Sequence, residues 1–65
     1  MISEMELRSA LHELNNALTV IVSSADLLML DIEPGNPCLQ DVNAIITASE
    51  RGRLIVEGIR EKAMS

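Results

Sequence analysis

His12 is the only histidine in the 65 residues and the side chain best suited to covalent chemistry. A neutral imidazole, with an unperturbed pKa of about 6.5, keeps a lone pair available near pH 7 and is a competent nucleophile towards phosphorus. It opens the run His12-Glu13-Leu14-Asn15-Asn16-Ala17-Leu18-Thr19-Val20-Ile21. At helical spacing, Asn16 and Thr19 lie one and two turns further along the same side. The remaining candidates offer little. Cys38 reads as a small apolar residue at the first turn of a helix. One Cys and one His cannot build a disulfide framework or a four-ligand zinc site. Asp26 and Asp31 have no neighbouring ligand set and read as solvated, and the glycines at 35, 52 and 58 form no phosphate-cradling loop.

Two elements must position His12. Ser3 followed three residues later by Glu6 fits a capping box. In the stretch Glu33-Pro34-Gly35-Asn36-Pro37, Pro34 disfavours helix at Glu33 and Gly35 permits a positive φ. Asn36-Pro37 then reads as an N-cap followed by proline at the first helical position. The chain is therefore expected to form helix 1 over about 4–32, a turn at 33–36, and helix 2 over about 37–63. Each helix would be about 40 Å long. The fold class is all-α, an antiparallel helical hairpin.

The apolar pattern predicts how the hairpin is used. Leu7, Leu11, Leu14, Leu18, Ile21, Ala25, Leu28 and Ile32 follow an unbroken 4-3 rhythm, the mark of a bundle seam. Ala10, Ala17, Val22 and Leu30 widen it beyond what one partner helix covers. Helix 2 carries Cys38, Val42, Ile45, Ser49, Gly52, Val56, Ile59 and Ala63 on the same rhythm, with small residues in the middle where helices can approach closely. A chain this short, without disulfide or metal, gains about as much from apolar burial as it loses in ordering entropy. A homodimer is the expected remedy, two hairpins pairing into a four-helix bundle.

Charge and composition narrow the function. Ten Asp+Glu against five Lys+Arg give a net charge of −5, and there are no aromatic residues. Neither a basic stripe nor a stacking surface is present, so nucleic acid is not an expected partner. No apolar run approaches the roughly 20 residues that span a bilayer, and the N-terminus MISEMELRS lacks the pattern of a signal peptide. A cytoplasmic location without membrane contact is expected, any anchor of a parent protein lying outside this segment. By spacing alone His12 is a surface residue. The letters around it point further.

The run from His12 to Ile21 resembles the H-box of the dimerisation and histidine-phosphotransfer domain of two-component sensor histidine kinases. That pattern is roughly His-Glu-hydrophobic, two polar residues, Pro or Leu, then Leu-Thr-hydrophobic-Ile. Ala48-Ser49-Glu50-Arg51-Gly52-Arg53-Leu54-Ile55-Val56 is similar, more loosely, to the family's helix 2 stretch. The resemblance implies that His12 accepts the γ-phosphoryl of ATP and passes it to an aspartate on a response-regulator receiver domain. Glu13 would orient the imidazole and take its proton as general base, and Asn16 would hold the ATP-binding partner or position a hydrolytic water. ATP and magnesium would be bound by a separate kinase domain, in cis or in trans, and no cofactor by this chain. Alone, it is not expected to phosphorylate itself. Ala17 stands where many family members have proline, so a straighter helix 1 is expected. Two other readings fit the same residues. The first is a hairpin that only dimerises. The second is a small RNA-binding hairpin using Arg51, Arg53, Arg60 and Lys62, which the charge of −5 opposes.

Overall fold

Ser3 starts the first helix. Its Oγ accepts from the Glu6 amide at 3.1 Å, and its own amide donates to Glu6 Oε1 at 3.4 Å. This reciprocal pair serves two amides that the first turn leaves without intrahelical partners. In the computed structural model, which describes residues 1–64, α1 then spans Glu4–Asp31 and passes through Ala17 unbroken. Ile32 is its extended C-cap. The Asn36 amide donates to the Glu33 carbonyl at 3.1 Å, and Gly35 takes a φ of +91°. Proline second and a positive-φ glycine third are the requirements of a type II turn. Asn36 next caps α2, its Oδ1 accepting from the Cys38 amide at 2.9 Å and its carbonyl from Leu39 at 3.0 Å. The proline that follows sits where a missing N–H costs nothing. The second helix, α2, spans Cys38–Met64. Ile32 and Pro37, expected as helical ends, lie just outside the helices in the capping turns.

The two helices pack antiparallel into a rod measuring 47 × 17 × 15 Å. Leu11, Ala25, Val42, Ser49 and Val56 are buried between them. Leu7, Asn15, Leu18, Val22 and Met29 of α1 and its C-cap Ile32 are half-buried, as are Leu39, Ile46, Gly52, Gly58, Arg60 and Ala63 of α2. Close approach occurs where small residues were expected. A Cβ built on Gly52 would meet Leu18 Cδ1 at 3.3 Å, so Leu18 packs directly over the α2 backbone.

Within the single hairpin this packing covers only part of the expected seam. Leu14, Ile21 and Leu28 keep 49%, 43% and 48% of their surface, while Asn15, Val22 and Met29 turn towards α2. Ile45, Ile59 and Cys38 of the expected α2 seam are exposed as well. A single helix covers only part of a stripe this wide: Leu14, Ile21, Leu28 and Ile45 stay uncovered on one flank, while Leu30 and Leu54 are exposed on the other. The accessible surface is 5109 Å², about 1,000 Å² above the ~4,100 Å² of a compact monomer of this mass.

Candidate functional site

The hairpin has two unlike flanks. His12 and Ile21 are separated by nine positions, which at about 100° per residue puts them on opposite sides of α1. Leu14 and Leu28 lie within roughly 20° of the Ile21 direction's opposition to His12 on the same count. The apolar flank carries an elongated groove of about 310 Å³ lined by Val20, Ile21, Ser24, Ala25, Leu28, Val42 and Ile45. Both helices contribute to it, and every lining side chain but Ser24 is apolar. No charged group interrupts it.

The opposite flank holds two grooves that carry charged side chains. One, of about 370 Å³, is lined by Met5, Arg8, Ser9 and His12 of α1 and Arg60 of α2. His12 is exposed there, on the third turn of a helix whose start is held by the capping box. Arg8 lies 4.0 Å from Glu4, a long and largely exposed pair of the kind that contributes little. Arg60 is half-buried and has no ion-pair partner among the described residues. The second groove, of about 280 Å³, is lined by Asn15, Glu50, Arg53, Leu54 and Glu57. Thr19 lies on this flank too, but its hydroxyl donates to the Asn15 carbonyl at 2.9 Å and is committed to its own helix.

The structure brings His12 together with Arg8, Ser9 and Arg60. It does not bring Glu13 or Asn16 into that groove, although both are exposed. Glu13 follows His12 directly and so leaves the helix about 100° away, and only a particular pair of rotamers would join the two side chains. Asn16 stands one turn further from the α1 N-terminus, beyond the groove's edge. Arg60 is the member that sequence reading missed, naming it only among the basic residues of the RNA-binding alternative. A signal for it was present. In an antiparallel hairpin, positions about equally far from the turn face each other, as Leu18 and Gly52 do around Gly35. The same count sets His12 against the stretch from Gly58 to Arg60.

Among the described residues, no group of three or more His, Cys, Asp or Glu could hold a metal ion. Nor is any helix of these residues long and apolar enough to cross a membrane. No family model, curated protein or solved structure matches this chain.

Proposed function

We propose that the chain is the dimerisation and phospho-acceptor module of a two-component histidine kinase. The observation that carries this reading is the opposition of the two flanks. An exposed imidazole stands on one side of the hairpin and an unpartnered apolar groove on the other. A second copy seated on Leu14, Ile21, Leu28 and Ile45 would leave His12 accessible. The surface excess of about 1,000 Å² is the size a stable interface requires, roughly 800 Å² from each partner.

In this reading, a lone-pair nitrogen of neutral His12 attacks the γ-phosphorus of ATP held by a separate kinase domain with magnesium. The nitrogen–phosphorus bond forms, the bond to the β-phosphate oxygen breaks, and ADP leaves. The proton on the other ring nitrogen passes to Glu13, which reaches His12 by the rotamer pair described above. A receiver-domain aspartate then takes the phosphoryl group, and Asn16, exposed one turn along, orients the partner or a water. The segment works in the cytoplasm as a homodimer.

Incubation with ATP, magnesium and a compatible kinase ATP-binding domain should place an acid-labile phosphate on His12. His12→Gln should abolish the label while leaving helicity and dimerisation intact. Label that persists in this variant overturns the assignment. The apolar groove alone would equally serve a hairpin that dimerises without phosphoryl transfer. A firm dimer that no ATP-binding domain labels would put that reading in its place.

A further inference from the structure

The groove at His12 differs from its neighbour in charge. In a chain with ten carboxylates and five Lys and Arg, its lining contains two arginines and no carboxylate. The neighbouring groove, on the same flank, has two glutamates and one arginine. Arginines from both helices therefore line the same groove as the imidazole, together with Ser9. Arg8 stands one turn before His12 on α1, and Arg60 lines the groove from α2, half-buried and without an ion-pair partner among the described residues. A cation held at a helix–helix groove without a counter-ion is arranged to receive an anion. The planar guanidinium fork suits the paired oxygens of a phosphoryl group.

We propose that Arg60, assisted by Arg8, forms an oxyanion subsite that holds the phosphoryl oxygens at His12. This deepens the reading of His12 as phosphoryl acceptor and rests on it. Arg60 is a positioning residue for incoming phosphoryl: it neutralises charge as the group transfers and orients phosphorus towards the ring nitrogen. Arg8 contributes less, because it is more exposed and lies near Glu4. The subsite also gives α2 a task at the acceptor, which the motif on α1 does not supply.

Phosphoramidate tests the subsite without any kinase. The ring nitrogen attacks its phosphorus, the nitrogen–phosphorus bond to His12 forms, the donor's own nitrogen–phosphorus bond breaks, and the departing amine carries off the ring proton as ammonia. The rate of labelling on the full chain is followed by phosphorus NMR, with circular dichroism as the check on folding. Arg60→Gln should label about tenfold more slowly and Arg8→Gln about twofold more slowly, the size expected for one charge-assisted contact at a partly solvated site. Arg60→Lys, which keeps the charge but not the fork, should fall between Arg60→Gln and the unaltered chain. Sulfate at constant ionic strength should slow the unaltered chain and leave Arg60→Gln unaffected.

Equal labelling rates in the unaltered chain and a folded Arg60→Gln overturn the subsite. Should that variant lose helicity, sulfate decides on the unaltered chain, and failure to inhibit overturns the proposal. The two readings fail separately. Label from an ATP-binding domain with phosphoramidate rates indifferent to Arg60 removes the subsite and keeps the acceptor. Arg60-dependent phosphoramidate labelling, with no label from any ATP-binding domain, keeps the oxyanion groove and removes the kinase reading.

Discussion

The two flanks of this hairpin are built from the same pair of helices and share one line of buried residues, yet their grooves differ in charge. Leu11, Ala25, Val42 and Val56 lie between the helices and support both sides. To one side, Ile21, Leu28 and Ile45 form an apolar groove without a charge. To the other, His12, Arg8 and Arg60 form a cationic one. The difference teaches that a two-helix protein can divide its work by rotation about the helix axis. Residues that need a partner's cover and a residue that needs access occupy the same turns, about half a revolution apart.

Inserting a charge should break this division most strongly. Ile21→Glu buries a carboxylate in the proposed interface and should weaken the dimer at least a thousandfold, about 4 kcal/mol, by sedimentation equilibrium. Ser23→Glu lies on the His12 side, three turns further along, and should change the dimer constant by less than about twofold. If the two variants dissociate alike, the flanks are not distinct in function. Leu11→Ala strikes the shared line instead. It should cost about 2–4 kcal/mol in thermal unfolding, and it should lower dimerisation and His12 labelling together.

Smaller effects sharpen the comparison at the turn and along α2. Asn36→Ala removes the acceptor of the Cys38 amide and should cost about 1 kcal/mol, whereas Asn36→Gly should cost only a few tenths. A scan in which both melt like the parent would show that the turn is held by other groups. The helical glycines should separate. Gly58 has open space around it, so Gly58→Ala should add about 1 kcal/mol of stability from helix propensity. In Gly52→Ala the new methyl meets Leu18 at 3.3 Å, and crowding should consume most of that gain. A higher melting temperature for Gly52→Ala than for Gly58→Ala would contradict the close approach of the helices there.

Local chemistry was readable in advance because it acts within a few residues. Ser3 with Glu6, Pro34 with Gly35, and Asn36 with Pro37 each specify a backbone event through their own side chains. The 4-3 rhythm likewise announced a broad apolar stripe and an outward-facing His12. It did not say which part of the stripe the hairpin itself would cover. Leu7, Leu11, Leu18, Ala25 and Ile32 suit either choice, so the decision fell between Leu14, Ile21 and Leu28 on one side and Asn15, Val22 and Met29 on the other. Those alternatives differ by one residue, about 100° of rotation, and only the position of α2 distinguishes them.

By itself, then, the order of residues determined two capped helices, a type II turn between them, and more apolar surface than one hairpin can hide. Tertiary structure decided which side remains bare and brought Arg60 to His12 from the far end of the chain. The physical reason is range. Caps and turns are settled by neighbours along the backbone, whereas a flank and a groove exist only once two helices have fixed their rotation and register against each other.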